Sequence, residues 1–250
     1  MSDEEPASIQ VNFGRPMPLF PLDETLLLPH GVMPLHIFEP RYRQMVHDAL
    51  DGAGQFAMAS FEGDRWREEY HGRPPLRPAV CVAQIVRDEK LEDGRYNILI
   101  QGLCRAAIVE EEAPDGETLY RRAVLRPLEG GVAEEGESVE EEARLSAARR
   151  RVAELLGEPP LTKFVDAAGA SIGEGICGYI DREEIPTTVI LDLVGQWMVK
   201  APKVRYALLA EGDPVERSRT LIGELEHVRS LLLRAEKQID PDAPKGVRWN

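Results

Sequence analysis

Met17-Pro18-Leu19-Phe20-Pro21-Leu22 and, beyond a turn, Pro34-Leu35-His36-Ile37-Phe38-Glu39-Pro40-Arg41-Tyr42-Arg43 decide how this chain is read. Pro18, Pro21, Pro29, Pro34 and Pro40 punctuate short apolar runs. Each removes a ladder donor, so they belong at strand starts, edges and corners and not in a central strand. The segment therefore predicts two short strands around a turn at Pro29-His30-Gly31. A helix follows from Pro40, because proline suits the first helical position. Tyr42, Met45, Val46, Ala49 and Leu50 then share one apolar stripe at i, i+3, i+4, i+7 and i+8.

Downstream, residues 79–86 (AVCVAQIV) form a continuous apolar run, as in a strand covered on both faces. Asp93-Gly94 is a hairpin signal. After it Tyr96, Ile98 and Ile100 alternate with Asn97, Leu99 and Gln101. Gly102 permits a bulge or a sharp bend, and strand character resumes from Cys104 to Val109. Asp115-Gly116 is a second turn, and Leu119 to Leu128 a further strand. Short strands with closely spaced turns predict a small bent sheet or barrel.

Residues 129–137 read as a Gly/Glu linker. Ser138 and Glu141 have the spacing of a capping box, and Leu145, Ala148, Val152 and Leu155 lie along one stripe of a helix that stops near Gly157. After a looser stretch, 187–199 predicts a buried apolar helix, 202–210 a short one, and Asp213-Pro214 the start of a long final helix. Leu221, Leu225, Val228, Leu232, Ala235 and Ile239 follow a 4-3-4-3-4 spacing. That seam packs within its own bundle or, alternatively, forms a homodimer through the helix 214–239. The expected fold is α+β: a disordered N-terminus (1–14), a β pseudo-barrel with one inserted helix (15–128), a linker (129–137), a helical bundle (138–240) and a tail (241–250).

The PLFPL run, the turn, PLHIFEPRY and the short helix resemble the opening of the Lon N-terminal domain, the substrate-binding domain of the ATP-dependent Lon proteases. The resemblance continues in Ile85-Val86, in Asp93-Gly94-Arg95-Tyr96, and in the corner Gly102-Leu103-Cys104-Arg105. It reaches residues 204–239, where Glu216-Arg217 precedes leucines on one face. One departure is Pro78-Ala79-Val80-Cys81, where the family commonly has a glycine. The resemblance implies a PUA-like pseudo-barrel and noncatalytic binding of unfolded or extended protein segments. It further implies an adaptor or holdase role in protein quality control, with a separate ATP-dependent protease as a partner. The candidate peptide-binding surface is His36, Phe38, Glu39 and Arg41 in the signature segment, with Arg65, Trp66 and Tyr70. The last three sit in a basic stretch that includes Arg67, Arg73 and Arg77, and aromatic and arginine side chains dominate recognition hot spots. Glu39 and Arg41 either line that surface or pair with each other to lock the strand-to-helix corner. Glu39 and Arg43 are also spaced for a helical ion pair.

Catalytic signals are sparse. The net charge of −14 disfavours nucleic acid and anionic membranes. No apolar run is long enough for a membrane helix, and the acidic N-terminus is unlike a secretory signal, so a cytoplasmic location is expected. Cys81, Cys104 and Cys177 form no CxxC pair and read as reduced thiols. His30, His36, His47, His71 and His227 show no metal-ligand spacing; His36, in an apolar strand, reads as a buried hydrogen-bonding residue. Gly173-Glu174-Gly175-Ile176-Cys177-Gly178 is a literal GxGxxG, but no strand precedes it and Glu174 would face the phosphates, so it reads as a turn. No GxxxxGK[ST] is present. The expectation is a recognition part without motor or peptidase, no catalytic residues, no cofactor and no metal. A small-molecule-binding barrel or cryptic enzyme remains an alternative, as does an RNA-binding PUA-like module, against which the charge weighs.

Overall fold

The computed structural model describes residues 10–23, 25–63, 65–68, 72–129, 135–163 and 178–238. The chain divides into two compact units, Met1–Ala133 with Ala201–Asp213, and Glu134–Lys200 with Pro214–Asn250.

The first unit is built on six strands: β1 (Met17–Leu22), β2 (Val32–Ile37), β3 (Gln55–Ser60), β4 (Ala79–Lys90), β5 (Tyr96–Glu111) and β6 (Arg121–Pro127), with helix α1 (Pro40–Leu50) between β2 and β3. Their order is β2-β5-β4-β3-β1-β6, and an additional β5–β6 pairing closes five of them into a barrel. β1 and β3 run parallel and the other pairs antiparallel. Closure requires the long strands to bend, and three bulges supply the bend. Opposite the register shifts, Val86, Leu103 and Val109 are the extra residues. Val86 and Val109 are consequently turned out to solvent.

β5 is thus one continuous strand through Gly102, which sits at a bulge and under a crossing chain. A Cβ there would lie 2.3 Å from the Leu28 carbonyl oxygen. The segment carrying buried Leu26, Leu27 and Leu28 passes over at that point. Its backbone pairs with Gly102 through His30 N–H (2.8 Å) and the Gly31 carbonyl (2.9 Å). Only glycine allows so close a backbone approach.

Alternation along the strands fills the barrel with Met17, Leu19, Ala57, Ala59, Val80, Val82, Ala106, Ala123 and Leu125. Four of the nine are alanine and two are valine, which suits a narrow barrel. The other face of β1 and β3 carries Phe20 and Phe56. Phe20 meets Tyr42 of α1 edge-to-face at 4.5 Å and Phe56 at 5.9 Å. α1 buries Tyr42, Met45, Val46 and Ala49, four of the five stripe residues. Both faces of β1 are therefore covered, and it pairs with β3 on one side and β6 on the other. This corrects the expectation that its prolines mark an edge; the β6 pairing covers only Met17–Leu19, so Pro21 lies beyond it.

The helix α4 (Pro202–Ala210) packs on β4 and β5. This differs from the expected undivided bundle at 138–240. Three contacts hold it: the Tyr206 hydroxyl accepts from Ala79 N–H (3.0 Å), fully buried Arg105 donates to the Leu208 carbonyl (3.0 Å), and Gly212 passes the Leu128 carbonyl so closely that a Cβ would lie 2.3 Å from it. Arg105 also pairs with Glu129 at 2.7 Å.

The second unit contains α2 (Glu135–Gly157), α3 (Thr187–Met198) and α5 (Pro214–Gln238), packed pairwise. α2 begins at Glu135, so Ser138 lies inside the helix and the capping-box reading fails. Ala148, Val152, Leu155 and Leu156 are buried. Arg149 spreads its guanidinium over the carbonyls of Ile180, Arg182 and Ile185, fixing that segment against α2. Buried Asp192 of α3 faces buried Arg217 of α5 at 3.9 Å. Along the α5 seam, Leu221 and Leu225 are buried, Val228 and Leu232 half-buried, and Ala235 exposed. Ile239, the GxGxxG residues 173–177 and the tail 241–250 lie outside the described residues. No helix among those described is long and apolar enough to cross a membrane.

Candidate functional site

Two concavities on the first unit share Pro21 as a wall. The first, about 430 Å³, lies between the start of α1, the β5–β6 hairpin and Gly72-Arg73. Its base is Leu19, Pro21 and Tyr42, and its charged lining is Arg41, Arg73, Arg121 and Arg122 with Glu39, Glu112 and Asp115.

The hairpin wall is fixed at its tip and to α1. Asp115 accepts from Thr118 N–H (2.7 Å), the Thr118 hydroxyl (2.9 Å) and Glu117 N–H (3.0 Å). These bonds, the Thr118 amide's foremost, hold its carboxyl down to about 2. The Gln44 side chain donates to the Glu117 carbonyl (3.1 Å) and accepts from Leu119 N–H (2.8 Å). The Tyr120 hydroxyl donates to Asp48 at 2.9 Å, and burial, with that carboxylate beside it, pushes the phenol up to about 12.

An arginine–carboxylate network stiffens the stem. Arg121 grips both oxygens of Glu111 (2.8 and 2.5 Å) and donates to the Pro74 carbonyl (2.6 Å). Arg73 uses Nη2 for Glu111 (3.1 Å) and the Glu112 carbonyl (2.9 Å). Arg122 bridges Glu112 (2.7 Å) and Asp115 (3.0 Å). Burial alone would raise the Glu111 carboxyl, but hydrogen bonds from Arg121 and Arg73 outweigh it and leave it below the ordinary value.

Glu39 and Arg41 form an ion pair at 3.0 Å, with the Arg41 guanidinium 4.5 Å over the Tyr42 ring. They lock the β2-to-α1 corner and also line the cavity. Arg43 reaches instead toward the Asp93-Gly94 turn, near the place of a Gly94 Cβ.

The second concavity, about 620 Å³, is bordered by Leu22, Asp23, Phe61, Trp66, Arg67 and Glu68. Trp66 stacks on Phe61 at 4.9 Å, the planes 6° apart, and Arg67 reaches Asp23 at 3.4 Å. A bridge between Phe61 and Leu76 folds this excursion back on itself. Tyr70 and the Arg65 side chain lie outside the described residues.

His36 and Phe38 line neither concavity. His36 is exposed on the outer face of β2, because strand alternation turns Ile37 inward, which corrects the expectation of a buried histidine. Arg95 is 3.1 Å from its Nε2, and Asn97 Oδ1 is 2.8 Å from its Nδ1. Arginine can only donate, so Nε2 accepts and Nδ1 carries the proton. Phe38, 60% exposed, stacks on the His36 ring at 6.3 Å.

Sequence reasoning passed over Tyr120, Arg121 and Arg122. A signal was present: Glu110-Glu111-Glu112 and Arg121-Arg122 flank the Asp115-Gly116 turn, where opposite charges face across a hairpin stem. Among the described residues, no three His, Cys, Asp or Glu side chains are grouped to hold a metal.

Comparison with known proteins gives a consistent result. The family model for the ATP-dependent protease La (LON) substrate-binding domain matches residues 16–227. Lon protease 2 of Myxococcus xanthus is 30% identical over 58% of this chain and 17% of its own length. Lon protease of Geobacter metallireducens is 24% identical over 93% of this chain and 26% of its own. The chain thus spans about a quarter or less of these relatives. The N-terminal domain of Mycobacterium avium complex Lon protease superposes with a TM-score of 0.61 at 18% identity, covering 85% of this chain and 98% of that one. A Lon N-terminal domain protein from Xanthomonas campestris gives 0.51 at 17% identity over 84% and 98%. Both share the α+β fold of strands and helices seen here. With 16–227 matched, the chain belongs to the LON substrate-binding domain family.

Proposed function

We propose that this chain recognises extended or unfolded polypeptide segments without acting on them chemically. The family match over 16–227 carries the reading. The geometry supports it through two adjoining concavities of different chemistry, one lined by arginines and carboxylates and one by Trp66 and Phe61. A bound segment lies across Pro21, with polar groups on the Arg41 side and an apolar side chain against Trp66. Cavities of about 430 and 620 Å³ are large enough to take a short stretch of a longer partner. The module acts as an adaptor or holdase for a separate ATP-dependent protease.

The test is fluorescence anisotropy with a labelled, permanently unfolded model protein. Saturable binding, weakened about tenfold or more by Trp66→Ala, is expected, since aromatic anchors carry most of such energies. Absence of binding, or binding indifferent to both Trp66→Ala and the paired Glu39→Gln/Arg41→Gln change, refutes it. The adaptor role requires in addition that the chain change the rate at which a Lon-type protease degrades that substrate.

A further inference from the structure

We infer that the arginine-lined concavity takes a carboxylate of the bound polypeptide, with Arg73 as its anchor; this rests on the polypeptide-binding reading above. Four guanidiniums line the cavity with the carboxylates of Glu39, Glu112 and Asp115, and Glu111 lies on Arg73 and Arg121, so the charges balance and the guanidinium nitrogens left open decide what binds. The chain as a whole carries −14. At physiological ionic strength charges more than about 8 Å away are largely screened, so the local wall decides what enters.

The four arginines are not equivalent. Arg121 is committed on both edges, to Glu111 and to the Pro74 carbonyl. Arg122 is divided between Glu112 and Asp115. Arg41 lies on Tyr42 and holds Glu39. Arg73 makes both of its contacts through Nη2 alone. Among the described residues its Nε and Nη1 have no hydrogen-bond partner, and its side chain is about one-third exposed (35%). A half-solvated guanidinium, pinned by one nitrogen and open along the rest of its fork, is preorganised for a charge-assisted bond to an incoming carboxylate. The fixed hairpin wall and the Leu19–Pro21–Tyr42 base lower the dielectric around that bond and strengthen it.

The carboxylate comes from the chain terminus or from an Asp or Glu side chain. Three versions of one short fluorescein-labelled apolar peptide separate these sources: free C-terminal acid, C-terminal amide, and amide with one internal Glu. Anisotropy is measured with the full chain at low and at moderate salt. At least one carboxylate-bearing peptide is expected to bind about tenfold tighter than the neutral amide, with the difference shrinking at higher salt. Arg73→Gln should abolish that preference, while Arg73→Lys keeps part of it. The fold should survive Arg73→Gln, because Arg121 still grips Glu111; the thermal midpoint of the variant checks this. Equal binding of all three peptides overturns the carboxylate site and leaves polypeptide recognition standing. Binding of none overturns both. Preference for an acid that persists in folded Arg73→Gln removes Arg73 from the role.

Discussion

Arg105→Met tests how the strand-rich unit is held to the returning segment 201–213. Arg105 has no exposed surface, donates to the Leu208 carbonyl at 3.0 Å, and pairs with Glu129 at 2.7 Å. Methionine keeps much of the volume, so the loss is chiefly electrostatic. Removing one member of a buried pair costs about 3–5 kcal/mol, because the other charge stays behind unpaired. Here Glu129 retains about one-third of its side-chain exposure (33%) and can take up water, so the lower end applies. The Leu208 carbonyl, in the last turn of α4, loses its charged donor as well, a bond worth about 1.5–3 kcal/mol. The two losses overlap, and about 3 kcal/mol is the expected total, roughly a 10 °C fall in Tm for a unit of this size. Urea unfolding followed by Trp66 fluorescence, in a Trp197→Phe/Trp249→Phe background, reports this unit alone. Arg105→Met/Glu129→Gln should recover about 1–2 kcal/mol of the loss, since no orphan carboxylate remains. A single variant within about 0.5 kcal/mol of the parent, or a double variant less stable than the single, refutes the reasoning.

Gly102→Ala forces a methyl group to within 2.3 Å of the Leu28 carbonyl and should cost about 3 kcal/mol by the same assay, at the upper end for overpacking; a loss below about 1 kcal/mol shows that the crossing chain can yield. Glu111 has its carboxyl held below the ordinary 4.5, so its contribution is present above that value and is lost as pH falls through the lower, folded-state one. Acid unfolding of the parent should therefore be steeper below about pH 4.5 than that of Glu111→Gln, with the gap between the two curves constant at neutral pH; a gap that widens on acidification reverses the assignment. Cys104 is pushed up to about 11, mainly by burial and then by Glu129, so roughly a thousandth of it is thiolate at pH 8. Iodoacetamide labelling in a Cys177→Ser background should be slow until the protein unfolds, and rapid labelling of the folded chain contradicts this environment.

The barrel was largely legible because its signals are local. Period-two alternation in 96–101, the double-sided run 79–86 and the Asp93-Gly94 and Asp115-Gly116 turns each constrain neighbours in sequence, and their glycines do take positive φ. Gly102 could be marked as special, but not why, since the chain that crosses it belongs to residues 26–31. The placement of α4 was not legible for the same reason. Tyr206, Leu208 and Gly212 meet Ala79, Arg105 and Leu128, and no periodicity links residues so far apart. The Ser138-Glu141 pattern misled because a box needs a helix that begins there; the acidic residues at 135 and 137 suit a helix N-terminus, and α2 extends through them. His36 misled because apolar neighbours suggested burial, whereas its register opposite Asn97 on an end strand put it outside. Of the cavity, Glu39 and Arg41 were found through the signature segment. Arg121 and Arg122 were missed because their role depends on a cavity closed by three separated segments.

The two halves of the proposed binding surface differ in the contacts that hold them, and under the proposed function that difference gives them different tasks. The arginine side is bounded by a hairpin with an internally bonded tip, attached to α1 through Gln44 and Asp48, and with a bidentate Arg121–Glu111 pair at its stem. Little rearrangement is needed before a ligand enters, so the cost of ordering it is small and selection among ligands is sharp. The Trp66 side is a short turn of helix, Arg65–Arg67, on an excursion joined back by the Phe61–Leu76 bridge and the flanking backbone bonds of Ser60 and Glu62. A stacked aromatic pair on such a segment offers a large apolar face with few directional demands, which tolerates many side chains. A recognition module for varied polypeptides needs breadth in one subsite and a polarity requirement in the other, since breadth in both would capture any exposed apolar patch. Tightening the Trp66 excursion, for example with a disulfide between the 60–62 and 75–77 strands, should therefore narrow the range of peptides bound while leaving the acid-over-amide preference unchanged. A loss of that preference would show that the two subsites do not act separately.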